Sequence, residues 1–337
     1  MKRRNFTLAA TVTATTVLLA MAPANATAPG RNGRIAFRRY LNDAHTRGAI
    51  FTIDPDGTGL RRITHPGNRR ILANEPDWSP NGRWIVYQVE RPTRPVPHRL
   101  YKIRRDGTHK TFLSGGCTST GRCRSDGYAA WSPSGERIAF QREFCGAGKN
   151  NMTAVFVERA NGTDPRRVTQ RHVGCAAHRW EDFAPAWAPS GRRLAFERQK
   201  RGTESRRAVF TVRLDGTGLR RITPWRLVAA QPDWSPNGRW IAFRSKETCD
   251  DCGNIWLVHP DGTGLHAVTH TAAGSGKWLS CSFSPNGRRI TAGKFPGSGS
   301  AGNADVYVMR LDGSDRRNVT ESAPWESAPD WGPRPRR

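Results

Sequence analysis

The sequence predicts an all-β fold: a six-bladed β-propeller of four-stranded blades, closed into a ring by pairing of the amino- and carboxy-terminal segments. A phrase close to Pro-Asp-Trp-Ser-Pro-Asn-Gly recurs six times, with its aromatic residue every 47 to 56 positions. An Asp-Gly or Asn-Gly pair recurs in step with it, and the two ends of the chain each hold part of one repeat. Repeats of about this length are typical of propeller blades. The aromatic residues are Trp78, Trp131, Trp187, Trp234, Phe283 and Trp331.

Each repeat contains the signals of four strands. In the fourth copy of the phrase, residues 232–235 are expected to form a short first strand, and the Pro-Asn-Gly turn needs a glycine that tolerates positive φ. The apolar run 240–243 indicates a second strand covered on both faces, as expected between two neighbouring blades. A short fourth strand follows the Asp-Gly or Asn-Gly turn. The third strands are expected at 49–54, 99–104, 154–159, 208–213, 254–259 and 305–310.

The two ends of the chain hold complementary parts of a repeat. Residues 31–37 have the pattern of a second strand without a first, whereas residues 329–333 have that of a first strand without a second. We expect these segments to pair, because an open array would leave exposed strand edges.

The first residues have the pattern of a targeting segment. Lys2, Arg3 and Arg4 precede a mildly apolar stretch, and residues 24–26 supply a small-x-small cleavage pattern. We therefore expect a signal peptide at 1–26, of the Sec or twin-arginine type, and one propeller domain at 27–337. The protein would then be exported to the periplasm, the cell envelope or the extracellular space. We expect no transmembrane segment, since no later stretch is apolar for long enough.

The combined phrase resembles the WD40-like repeat of the TolB-type β-propeller family. Matching segments run from about residue 31 to residue 333. The resemblance implies an exported six-bladed propeller used for protein interaction in the cell envelope. Few residues separate the expected signal peptide from the first blade, so the amino-terminal TolB domain is not expected. Related propellers carry a serine hydrolase domain, but the chain has no Gly-x-Ser-x-Gly motif.

Six of the seven cysteines lie in long connections that we expect on one side of the ring, and diverse loops on a repeated scaffold often carry function. Export permits disulfides, although the sequence does not determine their connectivity. The Cys-x-x-Cys pair could instead be half of a zinc site or a redox pair. Cys281 lies in a first strand and is expected to be a buried free thiol. The simplest disulfide pairing joins Cys117 to Cys123, Cys145 to Cys175 and Cys249 to Cys252.

Four tryptophans fall between predicted blades, and acidic residues accompany two of them. Such a row at the rim of a propeller could stack on sugar rings or anchor a peptide, or each ring could cover the end of its own blade. The candidate ligand-binding residues are His178, Arg179, Trp180, Glu181, Asp182, Trp225, Trp278, Trp325 and Glu326.

Asp77, Asp233 and Asp330 each precede the aromatic residue of a first strand. They could point into a central channel and hold a cation, or they could accept hydrogen bonds from backbone groups of the adjacent blade. The sequence shows no metal-ligand spacing and implies no cofactor.

The net charge of +26 arises from 54 Lys and Arg residues against 28 Asp and Glu residues. It could favour adhesion to anionic envelope polymers. However, arginines recur in register on the outermost strands, where they deter edge-to-edge pairing, and we do not expect specific nucleic-acid binding.

No catalytic motif appears in the sequence. The first hypothesis is therefore a non-catalytic, monomeric binding propeller whose partner is a protein or glycan of the cell envelope. The second is a secreted carbohydrate-active lyase or hydrolase with a site on the long-loop face, since propellers can assemble active sites from separate blades.

Overall fold

A computed structural model describes residues 29–67, 70–91, 98–113, 123–144, 152–170, 178–246, 253–272, 274–297 and 303–335. The candidate signal peptide lies outside these residues. Within them the chain is almost entirely β, with 24 strands and a 3-10 turn at Trp225–Leu227. No helix in this described part is long and apolar enough to cross a membrane.

Four antiparallel sheets of four strands follow one another along the chain. In each sheet, strands adjacent in sequence are hydrogen-bonded neighbours, and we number the sheets as units 3 to 6. Unit 3 contains β8 (Cys123–Trp131), β9 (Arg137–Phe144), β10 (Met152–Arg159) and β11 (Arg166–Arg167). Unit 4 contains β12 (Trp180–Trp187), β13 (Arg193–Lys200), β14 (Thr203–Arg213) and β15 (Arg220–Arg221). Unit 5 contains β16 (Ala229–Trp234), β17 (Ile241–Ser245), β18 (Asn254–Val258) and β19 (His266–Ala267). Unit 6 contains β20 (Lys277–Phe283), β21 (Arg289–Phe295), β22 (Asp305–Arg310) and β23 (Arg317–Asn318).

The remaining eight strands form one mixed sheet of two antiparallel halves. A single parallel bridge, between Gly48 and Leu72, joins the halves, which we number units 1 and 2. In unit 1 the last strand of the chain pairs with the first, with Ile35 opposite Trp331. Unit 1 contains β24 (Glu326–Pro333), β1 (Asn32–Tyr40), β2 (Gly48–Ile53) and β3 (Arg61–Arg62). Unit 2 contains β4 (Leu72–Trp78), β5 (Trp84–Glu90), β6 (His98–Arg104) and β7 (Thr111–Phe112).

The turns between third and fourth strands form as the Asp-Gly pairs predict. Asp56 Oδ1 accepts hydrogen bonds from the backbone N–H of Thr58, at 2.9 Å, and from its hydroxyl, at 2.7 Å. Gly57, between them, has φ of 89°, a conformation that glycine adopts without steric cost. The Asp side chain thus closes the turn by accepting a hydrogen bond from the backbone two residues later, as in Asx turns generally.

The first strands are longer than predicted. In unit 2, the sequence places a short strand at Pro-Asp-Trp-Ser, but β4 begins at Leu72 and ends before Ser79. The register between β4 and β5 shifts between Asn74 and Asp77, which marks a β-bulge. The Pro-Asp-Trp phrase is therefore only the part of the strand that follows the bulge. The residues before it differ between repeats, so the sequence did not predict that they belong to the strand.

The core lies between neighbouring units. The middle of each second strand is buried on both faces. Of the predicted run 240–243, Ile241, Ala242 and Phe243 have no exposed surface, whereas Trp240 lies before the strand and is half-buried. Between units 6 and 1, Phe37 packs in one cluster with Val306 and Trp331. Burial of large apolar side chains contributes roughly 1.5–3 kcal/mol each, so these interfaces are the main stabilising contacts.

A buried ion pair recurs at one position in three units, which we call the stacked-arginine position. In unit 3, the guanidinium of Arg142 donates to both carboxylate oxygens of Asp126, at 2.7 and 2.8 Å. Its Cζ also lies 5.0 Å from the ring centroid of Phe140 and 5.2 Å from that of Phe156. The equivalent pairs are Arg39 with Glu326 in unit 1 and Arg198 with Asp182 in unit 4.

Candidate functional site: the central cavity

The first strands of all six units line one cavity of about 120 Å³, which we call the central cavity. Each unit contributes the short segment around its bulge. The polar side chains on this lining are Glu75, Asp77, Tyr128, Ser132, Gln231, Asp233, Ser280, Ser282 and Asp330. This arrangement brings together residues that are spread over some 255 positions of sequence, from Glu75 to Asp330.

The bulges place non-glycine residues in a left-handed conformation. The residue two positions before the Asp of the repeat has φ between 44° and 53° in five units. Such conformations cost of order 1–3 kcal/mol each and persist where the surrounding structure holds them. The same strained backbone thus recurs around the cavity, and it directs the residue at this position towards the lining. The five residues are Glu75, Tyr128, Ala184, Gln231 and Ala328.

The three aspartates predicted for the channel do line the cavity, where each accepts a hydrogen bond from the next unit. Asp77 Oδ1 accepts from the backbone N–H of Trp131, and Asp233 Oδ2 from that of Phe283, both at 2.7 Å. Asp330 Oδ2 accepts from the N–H of Trp78 at 2.7 Å, and its Oδ1 accepts from the Ser282 hydroxyl at 2.8 Å. Of the two alternatives for these aspartates, the structure therefore shows the one in which they accept hydrogen bonds from backbone groups of a neighbouring unit.

A second kind of hydrogen bond between units occurs where the aspartate is present, from the Tyr128 N–H to Gln88 Oε1 at 3.2 Å, and also where alanine replaces it. Gln141 Oε1 accepts from the backbone N–H of Ala184 at 3.3 Å, and Glu197 Oε2 accepts from that of Gln231 at 3.2 Å. These bonds join unit 3 to unit 4 and unit 4 to unit 5. The acceptors in each case hold the left-handed residue of the following unit, so the bulge and the junction are stabilised together.

The cavity is acidic. Burial raises the pKa of the Glu75 carboxyl to about 7, although Arg38 and Arg244 oppose the shift. Burial also raises the pKa of Asp330 to about 6, and burial with the charges of Asp330 and Asp233 raises that of Asp77 well above its usual range. Among the described residues that line the cavity there is no lysine or arginine. A cation entering the cavity would therefore meet carboxyl groups on its lining, with Arg38 and Arg244 acting on Glu75 from outside that lining.

Glu75 is the cavity residue that the sequence did not single out. Asp77, Asp233 and Asp330 each accept a backbone hydrogen bond from the next unit, whereas among the described residues the Glu75 carboxylate accepts none. The residue at the Glu75 position also varies between repeats. The available signal was this variation itself: Glu75, Tyr128, Ala184, Gln231, Ser280 and Ala328 differ within an otherwise regular phrase. A position that varies while its neighbours are constant is under no common packing requirement.

The predicted tryptophan row does not form a continuous surface. Trp180 and Trp225 stack on each other, with ring centroids 5.4 Å apart and planes 12° apart. Trp325 instead stacks on Phe295 at 5.0 Å and meets His45 edge-on at 5.4 Å. The row therefore divides into separate aromatic groups in different parts of the structure.

Trp278 is wrongly assigned to this row. It lies within β20 and is only 2% exposed, in the core cluster with Phe283 and Ile290. Its edge meets Tyr307 at a centroid distance of 5.6 Å. Because its ring fills the space between two units, it has no face to offer a ligand.

Two of the acidic candidates are structural. Asp182 is fully buried in its ion pair with Arg198, at 2.6 Å, and also accepts a hydrogen bond from Gln170 at 3.0 Å. Glu326 is fully buried against Arg39. Both belong to the stacked-arginine position, so their carboxylates are not available to a ligand.

The other candidates around Trp180 are less enclosed. Arg179 is exposed, and Glu181 and Trp180 are half-buried at the start of β12, whereas His178 is buried. Burial raises the pKa of Glu181, and the neighbouring His178 opposes the shift. Arg179, Trp180 and Glu181 thus keep exposed surface beside Trp225.

The predicted disulfides lie largely outside the described residues, which include no side chain of Cys117, Cys123, Cys145, Cys175, Cys249 or Cys252. The backbone of Cys123 is described and lies in β8, not in a loop as predicted. Cys281 is a buried free thiol, as the sequence predicts, and burial raises its pKa. Among the described residues, no group of three or more His, Cys, Asp or Glu is placed to hold a metal ion.

Comparisons with known proteins show the fold. An uncharacterized protein of Agrobacterium fabrum is 23% identical over 276 residues, which cover 78% of this chain and 82% of that protein. The Tol-Pal system protein TolB of Syntrophus aciditrophicus is 35% identical over 77 residues, 23% of this chain and 17% of TolB. No known family profile matches the chain.

A crystal structure of TolB from Acinetobacter baumannii matches with a TM-score of 0.67 at 18% identity, over 90% of this chain and 67% of that chain. The chain therefore has a TolB-like β-propeller fold. The alignment with the Syntrophus TolB spans less than a fifth of that relative's length.

Proposed function

We propose that the chain is an exported, non-catalytic TolB-like propeller that binds a protein partner, and that its central cavity receives a cationic group of that partner. The observation that carries the proposal is the contrast in charge. The protein has a net charge of +26, yet the cavity is lined by Glu75, Asp77, Asp233 and Asp330 without a cationic side chain among the described residues.

The proposal treats units 1 to 6 as six blades of one closed ring. Two observations support this. All six first strands line the same cavity, and β24 pairs with β1 at the boundary between the chain ends. The side-chain bridges from Asp330 to Trp78 and from Asp77 to Trp131 would then be links between adjacent blades.

The size of the cavity favours a side chain over a glycan. Its volume of about 120 Å³ is below the roughly 300–1,000 Å³ of small-molecule sites. It could admit the end of a lysine or arginine side chain, or an amino terminus, with some water. An ammonium or guanidinium group would supply both the positive charge and the hydrogen-bond donors that buried carboxylates require.

The place of action is proposed from the amino-terminal sequence. Residues 1–26 have the pattern of a signal peptide, so the propeller at 27–337 would act in the cell envelope or outside the cell. The Syntrophus relative is named as a Tol-Pal system protein, and we take this likeness, which covers 23% of the chain, as support for a protein-binding role.

The test is capture of partners from a cell-envelope extract by the immobilised propeller and two charge-reversal variants. Glu75→Lys should abolish capture, because it places a cation in the cavity. Glu136→Lys makes the same charge change at an exposed turn and should leave capture intact. Capture should also strengthen as the pH rises from 6 to 8, because Glu75 loses its proton over this interval. Equal capture by both variants at all pH values would refute the proposed site.

A further inference from the structure

Unit 2 differs from the other units at the stacked-arginine position. Units 1, 3 and 4 fill it with an arginine–carboxylate pair. Unit 6 fills it with Trp278, which lies opposite Lys294. In unit 5 the two residues at this position are Ala229 and Ser245, which face each other. Leu227 from the 3-10 turn is buried beside them, and its carbonyl accepts a hydrogen bond from the Ser245 hydroxyl at 2.6 Å.

In unit 2 the corresponding residues are Ala73 and Val89, which face each other in the strand register. They leave a cavity of about 440 Å³, which we call the unit 2 cavity. Its volume falls within the roughly 300–1,000 Å³ of small-molecule sites. Its apolar lining comes from both sides of the interface between units 1 and 2: Ile63, Ile71, Ala73, Val89 and Ile103.

The Tyr87 side chain lines this apolar space, and its hydroxyl is buried. Tyr87 is 1% exposed, and its hydroxyl has no hydrogen-bond partner among the described residues. Four other units have phenylalanine at this position: Phe37, Phe140, Phe196 and Phe243. The hydroxyl is therefore not needed for packing, and leaving it unpaired costs of order 1–3 kcal/mol.

Two cationic side chains also line the unit 2 cavity. Lys110 is exposed at the edge of the cavity, with its ammonium 4.6 Å from the ring centroid of Tyr101, and desolvation and the nearby charge of Arg91 lower its pKa. The Arg91 Nε has no hydrogen-bond partner among the described residues. No carboxylate is present in the described lining. Tyr87, Lys110 and Arg91 thus line a cavity whose described residues provide no negative charge.

We propose that the unit 2 cavity binds a small organic carboxylate with an apolar body, such as a medium-chain fatty acid. The apolar body would occupy the space between Ile63, Ala73 and Ile103. The carboxylate would accept hydrogen bonds from the Tyr87 hydroxyl and from the Lys110 ammonium. This arrangement would give the Tyr87 hydroxyl an acceptor and place a negative charge beside Lys110 and Arg91. The proposal does not depend on the function of the central cavity.

The test is calorimetric titration of the full chain with decanoate, with decanol and decylammonium as neutral and cationic controls. Decanoate should bind at one site, decanol at least tenfold more weakly, and decylammonium not detectably. Tyr87→Phe and Lys110→Met should each weaken decanoate binding roughly tenfold, since a hydrogen bond to a charged group is lost.

The decisive variant is Ala73→Asp with Val89→Arg, which copies the ion pair of units 3 and 4 into unit 2 without changing the net charge. It should abolish decanoate binding. Ala73→Leu, which narrows the cavity without new charge, should weaken decanoate binding and provides a second variant in case the double variant does not fold. The proposal is overturned if the unaltered chain does not bind decanoate, or if a folded cavity-filling variant binds it equally well.

Discussion

Asp330, near the end of the chain, accepts a 2.7 Å hydrogen bond from the backbone N–H of Trp78, 252 residues earlier. The contact lies at the junction of units 1 and 2, where the chain ends meet the rest of the fold. Its counterpart between Asp77 and Trp131 shows that the same side chain performs the same task at another junction. The repeated aspartate is thus a structural residue of the cavity wall.

Asp330→Ala should lower the free energy of unfolding by about 1–3 kcal/mol, because it leaves the N–H of Trp78 and the Ser282 hydroxyl without their acceptor. Chemical denaturation at pH 7.5 measures the effect. Asp164→Ala, which removes an exposed carboxylate paired with Arg166, should change it by less than about 1 kcal/mol. Equal losses in both variants would mean that Asp330 does not join the units.

Glu158 is a buried acid in an apolar position. It is 1% exposed, both carboxylate oxygens have no partner among the described residues, and burial raises its pKa to about 8. The equivalent residue opposite the second strand in the other units is apolar: Ile53, Ile103, Val212, Val258 and Met309.

Glu158→Met should therefore stabilise the protein at high pH. The folded state keeps the Glu158 proton until about pH 8, whereas the unfolded chain loses it near pH 4.5. The unaltered protein thus loses stability as the pH rises through this interval, and the variant should not. Thermal unfolding from pH 4 to pH 9 should show a gain that grows with pH to about 1–4 kcal/mol. A constant difference across the pH range would contradict the assignment.

Arg198→Met should lower the free energy of unfolding by about 3–5 kcal/mol, because it leaves the buried carboxylate of Asp182 without its cation. The double change Asp182→Ala with Arg198→Val copies the Ala73 and Val89 pair of unit 2. It should recover part of this loss, since no unpaired charge remains. Urea denaturation of the two variants measures this difference. If the double variant is less stable than Arg198→Met, the unpaired Asp182 carboxylate is not the cause of the loss.

Trp278→Ala and Trp180→Ala should differ in their effect on stability. Trp278 is buried between units, so its loss should cost about 3–5 kcal/mol through the cavity it leaves. Trp180 is half-buried at the start of β12 and stacks on Trp225, so its loss should cost less. Comparable losses in thermal unfolding would show that Trp180 is also a core residue.

Much of the strand order could be predicted because the repeated phrase carries its own turn and core signals. Asp56, Gly57 and the buried run at Ile241 obey local rules that hold in any unit. The bulges could not be predicted, because Glu75 and its counterparts take a positive φ without the glycine that usually marks it. The register between strands, which the sequence does not show, also determines which residues line the cavities and which lie in the core. It places Trp278 in the core and sets Ala73 opposite Val89.

The direct test of the central claim is photo-crosslinking from the cavity. A photoreactive phenylalanine derivative at Tyr128 lies on the cavity lining, and the same group at Leu219 lies on an exposed turn away from it. In cell-envelope extract at pH 8, we predict a discrete protein adduct from position 128 but not from position 219, with its lysine, arginine or amino terminus at the crosslink. Glu75→Gln in the same chain should reduce the adduct several-fold. An absent adduct at position 128, or one that is unchanged by Glu75→Gln, would contradict binding in the acidic cavity.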